Sequence, residues 1–231
     1  MTSRATRTIL LAALFALATT VSGFAQVPCG VANQITCLPW DGGSNLYGSQ
    51  NDTVSGFGNF ATVYQQFTLP KGPALWDVES FHWVGGYFNP SVQAPITAWT
   101  LTFYNDAAGI PGGAIAAGSF PGTGGETCVT TDCTVSPVFV YWLYFKNFDI
   151  VPGTYWASVV PDLGFPPQWG WATATGGTGT GGYQCFFGTC GLTGTDFAFA
   201  VDGTPTPEPG TLIMLGTGVL GLAGTLRRKL L

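Results

Sequence analysis

Residues 96–104 read ITAWTLTFY, and apolar and polar side chains alternate along this stretch. Trp99, Leu101 and Phe103 fall on one face of an extended chain, and hydroxyl-bearing residues fill most of the other face. Because successive side chains of a strand point to opposite sides, a period of two is typical of a strand that buries one face. The stretch therefore predicts a β-strand with its aromatic face turned toward a core.

Similar windows recur along the middle of the chain. Strands are predicted over 60–69, 75–84, 138–150, 154–160, 169–172, 183–187 and 196–201. Pro152-Gly153 separates two of them and predicts a hairpin turn, whereas the run TATGGTGTGG at 173–182 predicts a flexible loop. Many short strands with Gly and Pro turns predict an all-β domain, a two-sheet β-sandwich of jelly-roll type, with a barrel as the alternative.

Charges are scarce in this chain and unevenly placed. Charged residues make up 8% of the sequence, against about a quarter in ordinary domains. Five of the seven basic residues lie at the two termini. The interior of the chain therefore has two basic residues, Lys71 and Lys146, and eleven carboxylates, which gives it a net charge of −9. Phosphate backbones are bound by clustered Lys and Arg, so nucleic-acid binding is excluded.

The first 25 residues have the pattern of a secretory signal peptide. Arg4 and Arg7 precede an apolar run at 9–18, and the small residues Gly23 and Ala25 lie where the signal peptidase requires them. The apolar run is shorter than the ~20 residues of a spanning helix, which favours cleavage over an uncleaved anchor. We expect a signal helix over 1–25, read by the secretion machinery, and a mature domain over 26–203.

Export places the six cysteines in an oxidising compartment, where disulfides persist. They fall in three close couples, and we expect each couple to form a local disulfide: Cys29 with Cys37, Cys128 with Cys133, and Cys185 with Cys190. A zinc site is the alternative, but the spacing is wider than in zinc ribbons and the chain has a single histidine, His82.

Residues 204–231 form a tail of different composition. The extended segment around Pro207, Glu208 and Pro209 is followed by a Gly-rich apolar run at 211–226 and then by Arg227-Arg228-Lys229. Sixteen helical residues span about 24 Å, slightly less than the hydrocarbon core of a bilayer. The pattern predicts a single transmembrane helix in the inner membrane, with its basic end in the cytoplasm.

These three ordered elements resemble the PEP-CTERM sorting signal of secreted proteins of Gram-negative bacteria. The resemblance is carried by Pro207, Glu208, Pro209, Arg227 and Arg228. It implies that the chain is the substrate of an exosortase, a membrane-embedded, transpeptidase-like cysteine enzyme. The resemblance also implies that the exosortase processes the tail near the Pro-Glu-Pro motif and releases the protein toward the cell surface or the exopolysaccharide matrix.

No catalytic constellation is visible in the domain, and we expect it not to be an enzyme. No Gly-x-Ser-x-Gly surrounds a serine, and the strand context of His82 favours a structural role. A secreted hydrolase using Glu79 is an alternative, since glycosidases need paired carboxylates.

Two binding interpretations remain. Trp169 and Trp171 would share one face of a strand, either as an exposed platform for exopolysaccharide or as core residues. Asn105 and Asp106 offer oxygen ligands for calcium, although a plain Asx-turn explains them too, and we expect no obligatory cofactor. The resulting hypothesis is an exported surface or matrix protein with a structural or adhesive role, with a carbohydrate-binding module as the alternative.

Overall fold

The computed structural model describes residues 29–121, 126–146 and 148–206, together with single residues at 210, 214, 217 and 218. The signal segment 1–25 and the sorting residues Pro207, Glu208, Pro209, Arg227 and Arg228 lie outside this part. Within the described ranges, no helix combines the length and the hydrophobicity that a membrane crossing requires.

The described part of the chain contains fifteen strands. In chain order they are β1 Gln34–Leu38, β2 Leu46–Gly48, β3 Gln50–Asp52, β4 Gly58–Leu69, β5 Leu75–Phe88, β6 Ala98–Asp106, β7 Pro111–Pro121, β8 Thr127–Cys128, β9 Val138–Tyr144, β10 Asp149–Ile150, β11 Gly153–Leu163, β12 Gln168–Ala172, β13 Gly182–Phe186, β14 Thr189–Leu192 and β15 Phe199–Thr206. They form two sheets, which confirms the all-β prediction. The jelly-roll connectivity stays a prediction.

The first sheet is built around the long strand β5. Strands β15 and β12 follow one another along one edge of β5, and β10 and β9 along the other, all antiparallel. Strands β1, β2 and β8 extend the sheet beyond β15, β12 and β9.

The second sheet has the order β14-β13-β4-β3-β11-β6-β7, and β4 also pairs directly with β11. Most of its pairs are antiparallel. The exception is β3, which joins β11 in parallel and places Asn51 opposite Asp162.

Aromatic residues of the two sheets pack against each other to form the core. The rings of Trp83 and Trp99 lie 5.1 Å apart, and those of Phe81 and Phe103 lie 5.7 Å apart, in each case across the two sheets. Trp99, Leu101 and Phe103 are 1–3% exposed. The alternation in 96–104 therefore predicted the buried face of β6 correctly.

The predicted hairpin at Pro152-Gly153 is wrong. Strands β9 and β10 pair with β5 in the first sheet, whereas β11 pairs with β4 and β6 in the second. The turn therefore carries the chain from one sheet to the other. Strand β9 is apolar on both faces because Val138 and Val140 pack in a second, smaller cluster with Trp40 and Val129.

The three predicted disulfides are confirmed: Cys29–Cys37, Cys128–Cys133 and Cys185–Cys190. The glycine-rich loop at 173–182 is fastened, in contrast to the flexible loop that its composition predicts. Buried Asp196 accepts hydrogen bonds from the backbone N–H groups of Gly179 and Gly181 at 2.6 and 2.8 Å.

Candidate functional site: a polar groove on the second sheet

A groove of about 210 Å³ lies on the outer face of the second sheet. Strands β4, β6 and β11 turn one set of side chains into the core, so the alternate set faces outward. Most of the side chains that line the groove are polar: Asn51, Asn59, Thr62, Thr100, Thr102 and Asp162. The polar half of the pattern in 96–104 thus supplies part of its wall.

Strand β11 forms the floor of the groove. Ser158 and Val160 are 1% and 5% exposed. Tyr64 and Tyr104 close one end, with their rings 5.3 Å apart in an edge-to-face arrangement. Tyr104 Oη lies 3.1 Å from Ser158 Oγ. Burial, together with the neighbouring Tyr104, raises the pKa of Tyr64 to about 12, so its hydroxyl stays a hydrogen-bond donor at neutral pH.

At the opposite end, Asp162 provides a carboxylate to the groove. Asn51 Nδ2 donates to Asp162 Oδ1 at 2.8 Å, a contact that the parallel pairing of β3 with β11 makes possible. Asp162 Oδ2 has no hydrogen-bond partner among the described residues. Beside it, Thr62 Oγ1 donates to Asn59 Oδ1 at 3.1 Å.

The hydroxyl of Thr102 is a polar group of the groove that is open to a ligand. Thr102 is 8% exposed and lines the groove. Within the described ranges, its hydroxyl makes no hydrogen bond. In the described part of the chain, the buried side-chain atoms without a partner are Trp83 Nε1, Trp99 Nε1 and Asp202 Oδ1. The Thr102 hydroxyl is therefore still reached by water, and a polar ligand in the groove can take the place of that water.

An aromatic rim adjoins the Asp162 end of the groove, because the chain continues from Asp162 to Phe165, which belongs to the rim. It consists of five phenylalanines in mutual contact: Phe57, Phe60, Phe165, Phe186 and Phe187. Three of them, Phe57, Phe186 and Phe187, are 40–60% exposed. The Cys185–Cys190 disulfide holds the β13–β14 hairpin that carries two of these rings.

Asp52 organises the loops of the aromatic rim. Its carboxylate accepts hydrogen bonds from the backbone N–H groups of Val54, Ser55, Phe57 and Phe165 at 3.0–3.1 Å. Burial alone would raise its pKa, but these four donors outweigh that effect and lower the pKa of Asp52 to about 2. Asp52 is therefore ionised at any physiological pH.

The groove and the rim lie toward the end of the domain that is remote from the sorting tail. Thr206 pairs with Leu75, just beyond the Leu69 end of β4. Asp52 pairs with Gly58 at the other end of β4, about 36 Å away for a strand of this length. The domain therefore leaves its C-terminal tail at one end and carries the open end of the groove at the other.

Trp169 and Trp171 share one face, as predicted, but that face is the inner one. Both side chains are 0% exposed. Trp169 Nε1 donates to Tyr141 Oη at 3.3 Å, and Trp171 Nε1 donates to the carbonyl of Ala198 at 2.8 Å. The interpretation of this pair as an exposed sugar platform is wrong, and core packing is what the structure shows. The spacing could not tell which face of β12 was buried.

Asp106 is surrounded by hydrogen-bond donors. Its Oδ1 accepts from Trp156 Nε1 at 2.7 Å, from Gln66 Nε2 at 2.9 Å and from the Gly109 N–H at 3.2 Å. Burial works to raise its pKa, but these bonds prevail and lower it. The arrangement fits the Asx-turn interpretation, and calcium binding at Asn105 and Asp106 stays a prediction. In the described ranges, no group of three or more His, Cys, Asp or Glu residues could hold a metal ion.

His82 links strands β5 and β15. Its Nε2 lies 2.9 Å from Asp202 Oδ2 and 3.0 Å from Ser80 Oγ, and Ser80 Oγ also donates to Asp202 at 2.8 Å. A serine-hydrolase relay needs the acid and the serine on opposite nitrogens of the imidazole, whereas here both contact the same one. Burial opposes but does not cancel the effect of these contacts, which lower the pKa of Asp202.

Glu79, the residue on which the hydrolase interpretation depends, lies in the same strand as His82. Its Oε1 accepts a hydrogen bond from Thr204 Oγ1 at 3.1 Å. This bond also joins β5 to β15, so it helps to hold the first sheet together. Hydrolase activity stays an untested prediction.

The tail resemblance is confirmed by comparison with known families. Residues 205–229 match the model of the PEP-CTERM protein-sorting motif, which implies export and processing by an exosortase. No curated protein matches the chain.

A weak likeness to this chain is found among solved structures. The crystal structure of the cysteine protease and lectin-like domains of Cwp84, a surface layer associated protein of Clostridium difficile, is 11% identical, with a TM-score of 0.42. The match covers 64% of this chain and 33% of that chain. A likeness this low carries no argument about function.

Proposed function

We propose that this chain, which carries a PEP-CTERM motif at residues 205–229, is displayed at the cell surface or in the extracellular matrix and has an adhesive role. In this proposal, an exosortase trims the tail after export, and the polar groove of the second sheet binds exopolysaccharide. The observation that carries the proposal is a groove lined by hydroxyl, amide and carboxylate groups, in which the Thr102 hydroxyl is open to a ligand.

The groove suits a saccharide because its chemistry is mixed. Sugars present hydroxyls that both donate and accept, which Thr, Asn and Tyr side chains can match. They also present apolar C–H faces, for which the rings of Tyr64 and Tyr104 and the exposed phenylalanines of the rim provide contact surface. A volume of about 210 Å³ is below the range of complete ligand pockets. We therefore expect only a short stretch of the polymer to occupy the groove, while the rest continues over the rim.

The position of the tail supports a role in adhesion. While the tail is in the membrane, the domain is attached through Thr206, and the groove opens near the remote end of β4. A polymer outside the cell can therefore reach the groove without approaching the bilayer.

The test is binding of the mature exported protein to an array of bacterial polysaccharides, followed by titration calorimetry. Thr102→Val replaces the unpaired hydroxyl with a methyl group of the same shape, and we expect an approximately tenfold loss of affinity for the hydrogen bond removed. Thr36→Val, in strand β1 of the first sheet, is the matched control and should bind as the wild type does. No binding to any polysaccharide, or equal binding by both variants, would overturn the proposal.

A further inference from the structure

We infer that the groove, if it binds polysaccharide as proposed above, selects polymers that carry free amino groups and rejects polymers rich in uronic acids. The inference deepens the proposed function by naming the class of ligand. It rests on the charge of the second sheet and on the environment of one carboxylate oxygen.

The strands of the second sheet carry carboxylates but no basic residue within the described ranges. The three acidic residues are Asp52, Asp106 and Asp162. Neither lysine of the domain lines the groove: Lys71 follows β4 at the tail end, and Lys146, between β9 and β10, lines a separate pocket with residues of β6 and β7. A polyanion laid along this face would therefore meet negative charge without compensation.

Asp162 offers a partner for a cation inside the groove. Its Oδ1 accepts from Asn51, and its Oδ2 has no partner in the part of the chain that the structure describes. An ammonium group donates up to three hydrogen bonds, so it can contact Oδ2 and the amide oxygens nearby. Asn59, which also lines the groove, lies at this same end.

Thr102 provides a second polar group in the same groove as the Asp162 carboxylate. Its unpaired hydroxyl lies on β6, opposite Ser158 of β11, and Asp162 lies four residues further along β11. That distance is about 13 Å along the strand. An amino-sugar polymer can place the ring hydroxyls of one unit toward Thr102 while the amino group of a neighbouring unit reaches Asp162.

The experiment compares three oligosaccharides of equal length by titration calorimetry on the mature exported protein. They are a glucosamine oligomer, its fully N-acetylated counterpart and an oligogalacturonate. We choose about pH 6, below the pKa range of ordinary α-amino groups, so that the sugar amines are largely protonated. The glucosamine oligomer should bind about fivefold more tightly than the acetylated one at low salt, as expected for a charge pair at contact distance in water. This ratio should shrink as salt is added, and the uronate should bind most weakly.

Asp162→Asn removes the charge and should bring the ratio of the two affinities close to one. Asp149→Asn makes the same charge change on an exposed residue of β10 in the first sheet and should leave the ratio as in the wild type. Thermal unfolding of each variant shows whether it is folded, and the salt dependence of the wild type tests the charge pairing without any variant.

Each outcome is decisive. Equal affinity for the amine and the acetylated oligomer, or tightest binding of the uronate, would overturn this inference while the proposed polysaccharide binding stands. Absence of binding to all three oligomers and to the wider array would overturn both.

Discussion

Replacing Asp52 with asparagine should loosen the aromatic rim and lower the free energy of unfolding by about 1–2 kcal/mol. In the wild type, Asp52 Oδ1 accepts three backbone hydrogen bonds, and Oδ2 accepts one from the Phe57 N–H. The asparagine amide has only one accepting oxygen. Its NH₂ group would therefore turn a donor toward at least one backbone donor and leave that pair unsatisfied.

The magnitude follows from the pKa of the carboxylate. Lowering the pKa of Asp52 from its usual 3.8 to about 2 corresponds to roughly 2.5 kcal/mol of stability at neutral pH. The carboxylate lies beneath surface loops, so solvent screening reduces this upper figure. The folded pKa is depressed, so the contribution is complete above about pH 4 and is lost as the pH falls toward 2.

The assay is urea unfolding followed by the fluorescence of the eight tryptophans, at neutral pH and at intervals down to about pH 2. The gap in stability between wild type and Asp52→Asn should be widest at neutral pH and should narrow below pH 4. Asp149→Asn, an exposed carboxylate in β10, is the control and should show little gap at any pH. Equal stability of Asp52→Asn and wild type at neutral pH would refute the reasoning, as would a gap that does not change with acid.

Three further variants test other parts of the structure. Trp171→Ala should lower the free energy of unfolding by about 3–5 kcal/mol because the ring is fully buried. A lowered melting temperature would confirm this, and an unchanged melting temperature would show that Trp171 is not part of the core. Replacing Cys185 and Cys190 together with alanine should cost about 2 kcal/mol, as expected for a short loop. Gly181→Ala should expose the loop at 173–182 to limited proteolysis, since a Cβ there would lie 2.5 Å from Asp196 Oδ1; cleavage at the wild-type rate would contradict this.

Local pattern predicted the buried faces of single strands well. The alternation in 96–104 identified both the core residues and the polar face of β6, because the period of two depends on that strand alone. The three disulfides could also be predicted from the sequence, since each closes a loop of a few residues.

The candidate site depended on contacts between distant parts of the chain. Asn51 and Asp162 are 111 residues apart and meet only through the parallel pairing of β3 with β11. The polar residues of a single strand do not show that their neighbours form a groove around them. In the same way, the spacing of Trp169 and Trp171 predicted a shared face but not that the second sheet would cover it.

The most direct test of the account is the intact mass and location of the protein made by its own cell. We predict a surface or matrix protein that has lost the first 25 residues and the tail beyond the Pro207-Glu208-Pro209 motif, with all three disulfides formed. In a strain without exosortase, the tail should remain attached. A full-length, reduced chain in the cytosol, or an identical mass in both strains, would contradict it.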